Sequence, residues 1–111
     1  MTENVKTELS RIVSALAGTG IVSKVILFGS CASGDDTADS DIDLCVLTPE
    51  KDDGDGRRLT DITIDLRTKL IDVRERPLDL ITYNQDDFST LAAIPRSFPR
   101  RIVDHGVVLY G

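Results

Sequence analysis

Residues 22–48 constrain the fold most, because two apolar stretches enclose a polar loop that begins at a glycine. Residues 22–28 (VSKVILF) are apolar and rich in β-branched side chains, which predicts a buried strand that ends at Gly29. A short helical turn and a polar loop are expected next. Residues 41–47 (DIDLCVL) alternate as a second strand until a threonine–proline pair breaks it. A glycine–serine turn and an acidic strand start therefore delimit one strip, residues 29–43.

The periodicity of the remaining chain predicts helices and strands in alternation. Apolar side chains at three–four spacing indicate amphipathic helices, and β-branched runs between proline or glycine residues indicate strands. The predicted helices cover residues 3–17, 57–75 and 86–93, with a helical turn at 100–104, and the predicted strands cover 78–83 and 107–110. We find no internal repeat, so residues 1–111 are expected to form one domain of the α/β (α+β) class.

The charge of the chain is concentrated in one segment. The net charge is −6, yet residues 35–55 carry nine acidic side chains and one basic side chain, and the rest of the chain is slightly positive. Such a run is either a solvated acidic loop or a cation site, because clustered carboxylates repel each other unless a positive charge lies among them. In both cases the balance argues against tight, non-specific binding of nucleic acid, which needs a basic surface.

Targeting signals and membrane spans are not evident in the sequence. The first residues are charged and lack an apolar signal region, and no apolar run approaches the roughly 18 residues of a transmembrane helix. Cys31 and Cys45 are then expected to be free thiols, and the protein to be cytoplasmic.

Asp41 and Asp43 are candidate metal ligands. They lie two residues apart on a predicted strand, so both carboxylates are expected on one face, about 6–7 Å apart. The two ions of a two-metal phosphoryl-transfer site lie about 3.5–4 Å apart, and these carboxylates could bracket such a pair. Oxygen ligands without a histidine or thiolate cluster favour Mg²⁺ or Mn²⁺.

Asp79 has two interpretations. It lies between Leu78 and Leu80 in the third long strand, where an acidic residue is otherwise unfavourable. If that strand neighbours the acidic strand, Asp79 could join Asp41 and Asp43 as a third carboxylate. Alternatively, it is a charge that protects an edge strand from aggregation.

Gly29 and Ser30 are candidate phosphate-binding residues. Glycine lets a phosphate approach the backbone, serine offers a hydroxyl group, and the start of a helix offers unpaired N–H groups. Alone this pattern is also that of an ordinary turn. No lysine follows a glycine-rich loop in the manner of a P-loop, which excludes that class of enzyme.

In combination, these residues resemble the minimal nucleotidyltransferases, small relatives of DNA polymerase β. The resemblance rests on Gly29-Ser30, ten intervening residues and Asp41-Ile42-Asp43, and extends to the LDLIT strand that carries Asp79 and to the ending IVDHGVVLYG. It implies a polymerase β palm-like fold, with a mixed sheet, helices packed on one face and the carboxylates on the other. It also implies attack of an acceptor hydroxyl on the α-phosphorus of a nucleoside triphosphate, usually ATP, with two Mg²⁺ ions.

The resemblance assigns roles by position. It implies that Gly29 and Ser30 hold the triphosphate, that Asp41 and Asp43 bind metal, and that Asp79 binds metal or activates the acceptor hydroxyl. Relatives often carry a basic side chain directly after the glycine–serine pair, whereas residues 31–33 are uncharged here. Phosphate binding would then depend on backbone and metal, or on another basic residue such as Lys24 or Arg100.

The acceptor is expected to come from another protein. Larger relatives have a further domain that holds an RNA or a drug, and the family commonly acts as an antitoxin that adds AMP to a tyrosine of a helical HEPN toxin. Such a chain would form homo- or hetero-oligomers. Two alternatives remain: a catalytically degenerate module that neutralises a partner by binding it, and a transferase that acts on RNA or a small molecule.

Overall fold

A computed structural model describes residues 3–34, 40–49 and 59–111. Five helices and four strands lie in these ranges and follow one another in nearly the predicted order. They are α1 (Glu3–Ala17), β1 (Lys24–Phe28), α2 (Ser30–Ser33), β2 (Ile42–Thr48), α3 (Leu59–Leu70), β3 (Leu78–Asn84), α4 (Gln85–Ala92), α5 (Phe98–His105) and β4 (Val107–Tyr110). No helix in the described ranges is long and apolar enough to cross a membrane.

The strands form one mixed sheet in the order β3-β2-β1-β4. β1 runs antiparallel to β2 and to β4, whereas β2 and β3 run parallel. The parallel pair is possible because α3 carries the chain back to the start of β3, as a crossover connection requires. The predicted mixed sheet is therefore confirmed, and β3, which carries Asp79, is an edge strand.

Helices cover the two faces of the sheet unequally. On one face α1 and α3 bury the side chains that alternate along β1 and β2, and this cluster forms the main core. It contains Val25 and Leu27 of β1, Ile42, Leu44 and Val46 of β2, and Ile62, Leu66 and Leu70 of α3. On the other face α4 and α5 bury a smaller cluster over Ile26, Cys45 and Leu47. The resemblance implies helices on one face only, whereas here α4 and α5 also cover part of the second face.

The helix ends follow local chemistry that the sequence indicates in part. Asn84 caps α4 as its position suggests, because its Oδ1 accepts hydrogen bonds from the backbone N–H groups of Asp86 and Asp87 at 3.0 and 3.2 Å. α5 is longer than the predicted turn at 100–104. Ser97 Oγ accepts from the N–H of Arg100 at 3.1 Å, and Pro99 is tolerated because the first turn needs no N–H donor.

α3 ends at Leu70, five residues before the predicted end at 75, and a buried glutamate explains the difference. Glu8 of α1 is fully buried and accepts hydrogen bonds from the backbone N–H groups of Glu75 and Arg76, at 2.9 and 3.2 Å. Its other oxygen accepts from Arg76 Nε at 2.9 Å. These bonds hold residues 75 and 76 against α1, so the chain leaves the helix earlier. The predicted start of α3 at 57 and the predicted loops at 35–39 and 50–56 lie outside the described residues.

We expect Glu8→Gln to destabilise the fold by about 3 kcal/mol at pH 7, because breaking one side of a buried ion pair leaves Arg76 uncompensated. Burial alone would raise the pKa of Glu8, but the hydrogen bonds from Glu75 and Arg76 outweigh it and lower the pKa below the ordinary value of 4.5. Its contribution is therefore present above pH 4.5 and is lost as the pH falls through the lowered value.

Urea unfolding of wild type and Glu8→Gln between pH 3 and 7 measures this contribution. The difference in unfolding free energy should be largest near neutrality and should shrink below the ordinary pKa. Glu3→Gln is the matched control, because Glu3 is exposed and only faces Lys6 at 3.6 Å. A difference that stays constant over this range would contradict the assigned role of Glu8.

Candidate functional site

Three side chains from neighbouring strands form a row across the second face of the sheet. The register pairs Phe28 of β1 with Asp43 of β2, and Asp43 with Asp79 of β3. Alternation along β2 turns Asp43 away from the main core, which receives Ile42 and Leu44 instead. Asp43 is half-buried and Asp79 is exposed. The structure thus brings Asp79 beside Asp43, and Asp79 also lies on an edge strand, so its position is compatible with both sequence interpretations.

The carboxylates of Asp41, Asp43 and Asp79 interact with one another. Burial raises the pKa of Asp43 above its ordinary value of 3.8, and the charges of Asp79 and Asp41 raise it further. A hydrogen bond between the carboxyl groups of Asp43 and Asp79 acts in the same direction. Asp41 precedes β2 and is exposed, so it takes part through its charge rather than through contact. The three predicted ligands therefore belong to one electrostatic unit.

Gly29 lies directly against this unit. Its φ of 77° and ψ of −158° belong to a region that only glycine adopts without strain. A Cβ atom added to Gly29 would collide with the Oδ2 atom of Asp43. Glycine is needed here for two reasons, a backbone conformation and the space that the carboxylate of Asp43 occupies. Ser30 follows as the first residue of α2 and is half-buried.

Cys31 connects the two ends of the strip. The side chain is buried, and its Sγ donates a hydrogen bond to the carbonyl oxygen of Asp41 at 3.4 Å. The uncharged residue after Gly29-Ser30 is therefore a packing residue that holds α2 against the start of β2. Cys45 is buried beneath the same face, where burial raises the pKa of its thiol to about 12, so it is inert at neutral pH.

Lys24 and Arg100 lie away from the row of carboxylates. Lys24 is four residues from Phe28 along β1, a separation of about 13 Å at 3.3 Å per residue. Arg100 of α5 forms an ion pair with Asp104 at 2.7 Å. Both line a cavity of about 470 Å³ between α4, α5 and the far end of β1. This geometry does not favour either residue as the replacement for the missing basic side chain next to Ser30.

The donor atoms fit a hard divalent cation. Within the three described ranges, no group of three or more His, Cys, Asp and Glu side chains is arranged to hold a metal ion as it stands. Mg²⁺, however, usually binds one or two carboxylates and keeps several water ligands. Asp43 and Asp79 supply two adjoining carboxylates, and the repulsion that raises the pKa of Asp43 is what a cation would remove.

Two residues near the site are not indicated by sequence reasoning. Phe98 of α5 packs edge-on against Phe28, with ring centroids 5.6 Å apart, and forms an apolar wall beside the row. The serine cap and early proline of α5 were its only local signal. Arg67 of α3 donates through Nη2 to the carbonyl oxygen of Leu80 at 2.9 Å, one residue after Asp79. Arg67 lies near Asp79 only because α3 packs along β3, and no local sequence pattern predicts that packing.

Comparison with known proteins identifies the family of the chain. The family model described as "Nucleotidyltransferase domain" matches residues 6–109. A curated relative from Methanocaldococcus jannaschii, named "Putative protein adenylyltransferase", is 35% identical over 109 residues, which cover 96% of this chain and 99% of the relative.

Solved structures share the fold at lower identity. One is described as a toxin-antitoxin with AMP-PNP (22% identity, TM-score 0.62, 92% of this chain and 72% of that chain). Another is the toxin-antitoxin MntA-HpeT in a mutant form (24% identity, TM-score 0.60, 100% and 73%). A nucleotidyltransferase structure from Sulfolobus solfataricus is also similar (17% identity, TM-score 0.59, 97% and 86%). With a family match over almost its whole length, this chain belongs to the nucleotidyltransferase domain family and is a nucleotidyltransferase.

Proposed function

We propose that this nucleotidyltransferase transfers AMP from ATP to a hydroxyl group of a partner protein, in a reaction that requires Mg²⁺. The observation that carries the proposal is the row in which Asp79 adjoins Asp43 while the backbone of Gly29 lies against the same carboxylate. Carboxylates that can bind a metal ion therefore lie next to a glycine backbone that a phosphate can approach closely. Transfer from a metal-bound triphosphate requires both.

The proposal assigns a role to each site residue and leaves two roles open for Asp79. Gly29 and Ser30 hold the triphosphate through backbone N–H and hydroxyl groups, and Asp41 and Asp43 are metal ligands. Mg²⁺, when bound, would neutralise the charge that develops on the phosphates. Asp79, beside Asp43 at the open edge of the sheet, either completes the metal site or accepts the proton of the acceptor hydroxyl. The α-phosphorus then gains the acceptor oxygen and loses pyrophosphate.

The partner is proposed from the relatives rather than from the site. The Methanocaldococcus relative is named for adenylyl transfer to protein, and two structural neighbours are described as toxin-antitoxin assemblies, one of them with the ATP analogue AMP-PNP. These descriptions support an antitoxin that modifies its toxin. A small helical HEPN-type toxin is the partner that we propose, in a hetero-oligomer and in the cytoplasm.

Paired labelling reactions test this function. The chain is incubated with Mg²⁺, a candidate HEPN-type partner protein, and ATP labelled on either the α- or the γ-phosphate. We expect label to reach the partner from the α-phosphate alone, and chelation by EDTA to abolish the transfer. Label from the γ-phosphate, or equal transfer with EDTA, would refute the proposal. Added GTP, CTP and UTP as competitors measure the preference for the base.

A binding module is the second candidate, and one observation favours it. Residues 31–33 carry no charge, so no basic side chain directly follows Gly29-Ser30. A degenerate transferase would neutralise its partner by complex formation. The double variant Asp41→Asn/Asp43→Asn separates the candidates, because full neutralisation of toxicity by that variant would favour binding over catalysis.

A further inference from the structure

A groove lies beside Asp79, and none of the proposed catalytic residues except Asp79 lines it. It has a volume of about 270 Å³ and lies between the outer side of α3 and the edge strand β3. Asp79 itself forms part of its wall, so the groove reaches the edge of the sheet where the row of carboxylates ends. Its lining also includes Ile64, Arg67, Ile71, Arg74 and Leu78.

The floor of the groove presents apolar side chains to solvent. Ile64 and Ile71 are 57% and 58% exposed, although each would be buried in an ordinary core. They are seven residues apart, two helical turns, and therefore lie on the same side of α3 and the turn that follows it. Leu78 extends this apolar surface to β3 and is half-buried. Two large exposed apolar side chains on one side of a helix are typical of a contact surface.

The rim of the groove is positively charged in an acidic protein. Arg67 and Arg74 both line it, and among the described residues each donates to a backbone carbonyl oxygen, of Leu80 at 2.9 Å and of Arg76 at 3.2 Å. Neither has a carboxylate partner among the described residues. In a chain with a net charge of −6, these two guanidinium groups outnumber the one carboxylate of the groove lining, that of Asp79, and they attract an acidic ligand.

We propose that this groove, defined by Ile64, Arg67, Ile71, Arg74 and Leu78, binds the acceptor segment of the partner protein. The segment presents a hydroxyl group to Asp79, an apolar side chain to Ile64 and Ile71, and acidic side chains to Arg67 and Arg74. The inference rests on the proposed function, because it gives the direction from which the acceptor reaches the site. We infer this occupant because Asp79 lines the groove and because the two arginines of its rim attract acidic side chains.

A polypeptide fits the groove better than a single-stranded RNA. Binding of RNA uses basic tracks along the backbone together with aromatic side chains on which bases stack. The groove supplies two arginines, and its other lining residues include no aromatic ring. Aliphatic floor residues between charged rim residues are instead the arrangement of a protein interface, with an apolar centre and a polar rim.

Peptide binding, measured without catalysis, tests the proposal. The probes are fluorescein-labelled Glu-Glu-Ile-Tyr-Glu-Glu, its counterpart with lysine for glutamate, and an oligouridylate, and fluorescence anisotropy reports their affinities for the full chain. We expect the acidic peptide to bind about tenfold more tightly than the basic one, and Arg67→Glu/Arg74→Glu to remove that preference. Ile64→Ser/Ile71→Ser should weaken the acidic peptide by a similar factor while the charges remain.

Matched variants keep this test specific. Lys69→Glu/Arg101→Glu makes the same change in charge at exposed positions that do not line the groove, and it should leave the affinity of the acidic peptide unchanged. Because Arg67 also binds Leu80, circular dichroism of its variant confirms the fold, and the serine variants at exposed positions carry no such risk.

The outcomes test the peptide-binding role of the groove separately from the proposed AMP transfer. Loss of peptide binding in the groove variants alone supports the proposal. No preference for the acidic peptide, unchanged binding in both groove variants, or tighter binding of oligouridylate would overturn it. The proposed function fails by a different result: Asp41→Asn/Asp43→Asn should lose AMP transfer and keep peptide binding, so undiminished transfer by that variant would refute the chemistry only.

Discussion

Asp41→Asn/Asp43→Asn is expected to lower AMP transfer at least about 10³-fold, the largest effect of any change considered for this protein. Asparagine keeps the size of each side chain but removes the negative charge that holds a divalent cation. Asp43 is half-buried beside Asp79, so a neutral water ligand there would not compensate for the lost carboxylate charge. The rate of labelling of the partner from α-labelled ATP measures the effect.

Stability shows whether such a loss is specific to the site. In the wild type burial raises the pKa of Asp43, and the charges of Asp79 and Asp41 raise it further, so the ionised form of Asp43 is unfavourable beside them. Without metal the double variant should therefore unfold at the same temperature as the wild type or higher. Added Mg²⁺ should stabilise only the wild type, by mass action on the folded state. Asp72→Asn/Asp87→Asn removes two exposed charges elsewhere and should retain both activity and the response to Mg²⁺.

Gly29→Ala is expected to have the second largest effect, a decrease in transfer of about 10²-fold. The new Cβ would meet the carboxylate of Asp43, so either that side chain or the backbone has to move. A displacement of about 1 Å at a reacting centre is sufficient for a loss of this size. Alanine is also strained at a φ of 77°, which should cost about 1–3 kcal/mol of stability.

Gly20→Ala is the matched control for Gly29→Ala. Gly20 has nearly the same φ, 75°, but a Cβ added there meets nothing within 4 Å. Gly29→Ala should lose at least as much stability as Gly20→Ala in thermal unfolding, because it adds the collision with Asp43, and only Gly29→Ala should lose activity. If the two variants lost activity to the same extent, the effect would come from backbone strain rather than from the collision with Asp43.

Much of the secondary structure follows from local patterns. The limits of α1 and the strands β2, β3 and β4 agree with the predictions to within about one residue, because apolar periodicity and the proline, glycine and asparagine positions act over short distances. The early end of α3 could not be predicted, since it depends on Glu8, more than sixty residues away in the sequence. The length of α5 could not be predicted because a proline usually interrupts a helix, and Pro99 is permitted here only by its place in the first turn.

By itself the sequence predicted the candidate residues of the site and their chemistry. The spacing from Gly29 to Asp43 and the acidic residue within β3 indicate a carboxylate site next to a glycine–serine turn, since these signals are local. The tertiary structure decided which groups meet. Parallel pairing of β2 with β3 brings Asp79 to Asp43, the turn of the backbone at Gly29 leaves space for that carboxylate, and packing of α3 along the edge strand places Arg67 and Arg74 around a groove. These contacts join residues far apart in the chain, and strand order and helix packing alone establish them.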